Sequence, residues 1–160
     1  MKADILEQLF IQYYNDALLY SLSLSKNKVI AEDLAANAFF KALETADDSI
    51  RDFKSWLLAV CRNTYLTTVR KQSRYTELHE YLEDDGEATL DKIIRDEEYK
   101  ALYHAISLLS KEQNEVILLF YFEDLPIKSI ATIMEKTTTH IKVLLYRARE
   151  NLRKILEVSR

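Results

Sequence analysis

The sequence predicts an all-α protein made of two small helical domains, and three observations carry that prediction. The 160 residues include one glycine, Gly86, and one proline, Pro126. All-β and α/β folds need turn residues at regular spacing, which this chain cannot supply. Apolar residues recur at steps of three and four in both halves, the period of helices that bury one face. Between the halves lies an acidic stretch around the lone glycine. The expected organisation is a first domain over 1–74, an acidic linker over 75–98 and a second domain over 99–160. Domains of this length sit near the lower size limit for a self-sufficient core.

In the first half, Ile5, Leu6, Leu9, Phe10, Tyr13, Tyr14, Ala17, Leu18 and Leu22 form one apolar stripe, so a first helix is expected. Ser25 to Lys28 is a polar break. Leu34, Ala35, Ala38, Phe39, Ala42 and Leu43 mark a second helix, whose acids Glu32 and Asp33 suit a positive N-terminal end. Thr45 to Ser49 supplies capping residues in a loop. A third helix follows from about Phe53 to about Arg70, with Trp56, Leu57, Val60, Cys61, Leu66 and Val69 as its apolar side. Trp56 is expected in the core because it shares a face with Val60.

The acidic stretch predicts a tether with fragmentary helix. From Tyr99 the helical pattern resumes, and Ser110 with Gln113 three residues later forms a capping box. Val116 to Phe122 is apolar nearly all round, which predicts a central buried helix. Glu123 to Pro126 breaks it, and Pro126 suits the start of a short helix over about 127–134. Glu135-Lys136 turns the chain into a basic helix from about Thr138 to about Leu156.

Several function classes are excluded. One glycine cannot build a phosphate cradle, so nucleotide and dinucleotide fingerprints are absent. Cys61 is the only cysteine, which removes an intrachain disulfide and any cysteine-cluster zinc site. His79, His104 and His140 lack metal-ligand spacing, so neither metal nor cofactor is expected. The carboxylates come without a set of catalytic partners, and no catalytic residue is assigned. The N-terminus does not read as a signal peptide and no stretch is apolar enough to span a bilayer, so the expected location is cytoplasmic, with no membrane insertion.

The formal net charge of −4 conceals local differences. Residues 1–74 hold 10 Lys/Arg against 9 Asp/Glu, 75–98 hold 2 against 10, and 99–160 hold 10 against 7. Local patches, not totals, decide attraction to phosphates. A short helix, a tight turn and a longer basic helix in sequence read as helix-turn-helix. The start of the basic helix would then enter the major groove. Thr137, Thr138, Thr139, His140 and Lys142 are its candidate base-reading residues. Arg147, Arg149, Arg153 and Lys154 extend the positive strip and would hold phosphates.

Longer stretches sharpen this reading. SLLSKEQNEVILLFYFEDLPIKSIATIMEKTTTHIKVLLYRARENLRKIL resembles region 4 of the sigma-70 family, extracytoplasmic-function branch. IAEDLAANAFFKAL and FKSWLLAVCRNTYLTTVRK are similar to that family's region 2. The two likenesses occur in the family's order and cover nearly the whole chain.

The resemblance implies a non-catalytic transcription-initiation subunit. It would bind core RNA polymerase through the beta-prime clamp and the beta flap, open promoter DNA at −10 and read it at −35. An anti-sigma factor is an expected partner. Glu32, Asp33, Leu34, Phe39 and Lys41 fall on the family's polymerase-docking helix. Arg51, Lys54, Arg62 and Asn63 fall where the −10 strand is melted and held, and Arg70, Lys71 and Arg74 beside upstream phosphates. This chain departs from the pattern at Ala36, Asn37, Thr67, Ser110, Asn114 and Glu135; the last replaces the turn glycine. The rival expectation is a dimeric helix-turn-helix regulator that reads a palindrome without opening it.

Overall fold

The computed structural model describes residues 2–47, 50–72 and 86–158. Among them are eight α-helices and one π-helical turn, with no strand. The helices are α1 (Ala3–Ser25), α2 (Lys28–Thr45), α3 (Phe53–Gln72), α4 (Gly86–Ile93), α5 (Glu97–Ile106), α6 (Lys111–Ile117), α7 (Ile127–Met134) and α8 (Thr138–Val158). The π turn, Leu118–Phe122, continues directly from α6. The chain divides into two compact units, Met1–Ile93 and Ile94–Arg160.

The first unit is a bundle in which α1, α2 and α3 all pack on one another. Lys26 ends α1 in the left-handed region at φ 54°, and its N–H bonds to the Leu22 carbonyl. Asn27 opens α2, its Oδ1 accepting from the Ile30 N–H at 3.1 Å. Asp52 opens α3 by accepting from the Ser55 N–H at 3.1 Å. Alanines at 31, 35, 38 and 42 are buried and give α2 a slim inner face for its two neighbours. Leu34, Phe39, Phe53, Leu57, Leu58 and Cys61 fill the space between helices.

Three details depart from the apolar pattern. The buried part of α1 begins at Ala17, while Ile5 and Phe10 are exposed. Leu43 and Val69, expected inside, are exposed. Trp56, Val60 and Leu66 are half-buried, and the Trp56 ring stacks on Phe53 at 5.8 Å. The inner face of α3 runs through Leu57, Leu58 and Cys61, so Trp56 lies about 100° around the axis from Leu57.

Within the acidic stretch, α4 packs against α1, with Thr89 and Leu90 buried. An isolated eight-residue helix is too short to persist in water. Packing on α1 supplies what the isolated helix lacks, and burying Leu90 contributes about 1.5–3 kcal/mol of it. The acids that dominate this segment conceal the pattern.

In the second unit α8 is the element against which α5, α6 and α7 pack. Asp96 caps α5, accepting from Glu98 N–H at 2.8 Å, and Ser110 caps α6, accepting from Gln113 N–H at 3.4 Å. Val116 to Leu119 are buried as expected, but Phe120 and Phe122 are only half-buried and Tyr121 is exposed. The π turn is the cause. The Glu123 N–H reaches the Leu118 carbonyl five residues back, at 3.0 Å. The extra residue in that turn shifts the phase of the following side chains by roughly 100°.

Candidate functional site

Pro126 precedes α7, where a missing N–H costs nothing. At the other end of α7, Glu135 adopts φ 56° and ψ 46°. Lys136 N–H then closes on the Ala131 carbonyl at 2.9 Å and Glu135 N–H on that of Thr132 at 3.3 Å. These bonds satisfy the end of α7 and turn the chain sharply. Thr137 opens α8, its Oγ1 accepting from the His140 N–H at 3.1 Å. Lys136 Nζ pairs with Glu112 at 2.9 Å, fastening the turn to α6. A short helix, a tight turn and a long helix are thereby held as one piece.

Ile141, Leu144, Leu145 and Ala148 form the buried side of α8. Thr137, Thr138, Thr139, His140, Lys142, Arg147 and Arg149 are all exposed. Lys142 and Arg147 lie about 140° apart around the helix axis. The strip between them holds Thr139, Val143 and Tyr146, and Tyr146 is 67% exposed. Val143 and Tyr146 were not among the candidates from sequence. Their signal is the steps of four and three that lead from Thr139 to Val143 and on to Tyr146, opposite the buried side. Arg149 differs from the other cations, because its Nε donates to the Tyr121 hydroxyl at 2.7 Å.

On α2 the candidates separate. Asp33 and Lys41 are exposed and Glu32 is half-buried, whereas Leu34 is 4% and Phe39 5% exposed. Those two side chains belong to the bundle core and present nothing to a partner. The helix carries a second apolar stripe that the sequence reading passed over. Val29, Asp33, Ala36, Phe40 and Leu43 follow at steps of four, three, four and three and share an outward face. Phe40 is 59% and Val29 51% exposed. Asn37 Nδ2 donates to Thr64 Oγ1 at 3.3 Å and Lys41 Nζ to the same oxygen at 3.5 Å, so both reach toward α3.

On and before α3, Arg51, Asn63, Arg70 and Lys71 are exposed and Arg62 is half-buried. Lys54 is half-buried and pairs with Asp16 of α1 at 3.7 Å. Trp56, Asn63 and Arg70 follow at intervals of seven and so share one outer stripe of α3. Arg74 and Ser49 lie outside the described residues.

Residues 9–75 match the family Sigma-70 region 2, and residues 99–152 match Sigma-70, region 4. The RNA polymerase sigma factor SigV of Bacillus subtilis is 30% identical over 84% of this chain and 81% of its own length. The chain belongs to the RNA polymerase sigma factors. The ECF RNA polymerase sigma factor SigM of the same organism is 28% identical over 92% of this chain and 93% of its own length, which places this sigma factor in the extracytoplasmic-function branch. A solved chain with the same fold comes from the complex of the sigma factor RpoE with the anti-sigma factor NepR from Bartonella quintana. It aligns at a TM-score of 0.74 and 23% identity, covering 96% of this chain and 98% of that one. This sigma factor directs promoter-specific transcription initiation. Among its described residues no helix is long and apolar enough to cross a membrane.

Proposed function

We propose that the two units divide the work of promoter recognition, the first docking on core RNA polymerase and opening −10 DNA, the second reading −35 DNA through α8. The exposed strip of α8 from Thr138 to Arg147 carries this reading, because it offers base-contacting side chains between two outward cations. Threonines, Val143 and Tyr146 can meet base edges and thymine methyls, while Lys142 and Arg147 grip phosphates on either side. On α3, Asn63 and Arg70 with the half-buried Trp56 supply polar, cationic and stacking surface for a separated strand. Arg51, Arg62 and Lys71 extend that positive field, and Lys54 supports it from its pair with Asp16.

The outward stripe of α2 has the alternating three- and four-residue spacing that seats against another helix. Val29, Ala36, Phe40 and Leu43 would give apolar contact to the clamp, with Asp33 supplying charge for a basic partner. Polymerase docking then rests on Phe40 where the sequence had suggested Phe39. The protein carries no chemistry of its own and acts in the cytoplasm, where core polymerase and promoter are. An anti-sigma partner is part of this reading, since RpoE of Bartonella quintana was solved bound to one.

Transcription with purified core polymerase on genomic fragments, followed by permanganate footprinting, tests the proposal. Start-site-specific transcripts with an open bubble are expected. Tight duplex binding without core association or strand opening would instead identify a helix-turn-helix regulator. Replacing Lys142 and Arg147 together by alanine should weaken promoter use. It should also lower the salt slope of binding by up to about 1.8, at about 0.9 per phosphate.

A further inference from the structure

Arg149 is held in a way that the other outward cations of α8 are not. Its Nε donates to the Tyr121 hydroxyl at 2.7 Å. Its guanidinium carbon lies 5.4 Å from the centre of the Phe120 ring and 5.5 Å from that of Tyr121. The two rings meet edge to face at 4.9 Å, so they form one aromatic corner around the cation. Both rings belong to the π turn, Leu118–Phe122. Lys142 and Arg147 make no comparable contact among the described residues.

We infer that Arg149 is a positioning residue, one that fixes the direction of α8 through Tyr121 and Phe120. The inference rests on the reading of α8 as the DNA-contacting helix. The Nε bond and the two ring contacts fix the guanidinium plane against the π turn, so the side chain acts as a strut between that turn and α8. Its place on the helix agrees. Arg149 is about 40° around the axis from the buried Leu145, at the margin of the packed side. The contact also has leverage over the reading end. Thr138 lies eleven residues before Arg149, about 16 Å along the axis, so a tilt of about 10° at the clamp moves it by roughly 3 Å. A displacement of that size breaks base-edge hydrogen bonds, which tolerate only a few tenths of an ångström.

The test uses the full chain with core polymerase and a fluorescent duplex selected from a random-sequence library. Discrimination is measured as the affinity ratio between that duplex and one scrambled in the segment protected by α8. Tyr121→Phe removes only the hydroxyl and Arg149→Lys keeps the charge but loses the Nε donor and the planar group. Each is expected to lower the ratio by about three- to tenfold with the salt slope unchanged, and the double variant to do no worse than Arg149→Lys alone. Because Tyr121 is exposed, its hydroxyl can be removed without loss of folding, which a thermal melt checks. If Arg149→Lys discriminates like the wild type while Arg149→Ala lowers the salt slope by about 0.9, Arg149 is a phosphate ligand and the inference is overturned. Wild-type behaviour of every variant overturns it equally. A wild-type protein that fails to discriminate, with Lys142 and Arg147 also replaceable at no cost, removes the DNA-reading role of α8 and the positioning role with it.

Discussion

Glu135 occupies a backbone position that favours glycine. Its φ of 56° places Cβ against the following carbonyl, and its negative charge sits at the C-terminal end of α7, where the helix dipole is also negative. The exposed side chain contributes little in return. Glu135→Gly should therefore stabilise the second unit by about 0.5–1 kcal/mol, after the greater chain entropy of glycine when unfolded is deducted. A rise in melting temperature of about 3–5 °C is expected by calorimetry. No change at all would mean that the turn is held elsewhere, for instance by Lys136 and Glu112. Two phenols set a second expectation at this scale. Burial raises the pKa of Tyr14, with the nearby Glu32 charge adding to the effect, and burial alone raises that of Tyr65. The folded state thus favours their neutral forms. That contribution is complete below the ordinary phenol value of about 10 and is lost as pH rises through the higher folded values. Urea melts from about pH 8 to about pH 11 should show the first unit weakening at the alkaline end. Replacing both tyrosines by phenylalanine should flatten that limb.

Neighbouring phenylalanines on α2 show what an element adds to its residues. Phe39 points into the bundle, where its ring lies 5.0 Å from Phe10 and 6.0 Å from Phe53, while Phe40 points outward. Phe39→Ala should cost about 3–5 kcal/mol of stability, the usual penalty for emptying an aromatic site in a core. Phe40→Ala should leave the melting temperature within about 1–2 °C, as surface replacements do, and weaken association with core polymerase in a pull-down or polarisation assay. Equal destabilisation by both would contradict the assigned faces. The order and type of the long helices were legible in the sequence because one apolar stripe and a polar remainder define each. The two-faced helix was not. A helix with apolar residues on its packed side and on its outward side shows a broad pattern, and neither side is marked in the chain itself. The π turn escaped for a related reason, since one extra residue in a turn leaves no compositional trace. Leu90 was hidden by its acidic neighbours.

Over the whole molecule, charge is distributed against the apparent purpose of a DNA-binding protein. The surplus of acid falls in residues 75–98, and the helix-turn-helix stands in a segment with a basic excess. A protein with net charge −4 is repelled by a polyanion at long range, although a DNA-contacting α8 would attract it at contact. The two effects separate by distance, because mobile ions screen over about 10 Å at 0.1 M salt and about 3 Å at 1 M. Replacing Glu83, Asp84 and Asp85 by their amides brings the net charge to −1, three units above the −4 of the natural chain. Association with promoter DNA should then accelerate by about two- to fourfold at low salt, and the gain should vanish as salt approaches about 1 M. The dissociation rate should stay the same, since these residues are not assigned to the interface. Stopped-flow fluorescence on the labelled duplex separates the two rates. A change confined to dissociation would mean that the acidic segment touches the DNA or α8 directly, and steering would be the wrong account of its charge.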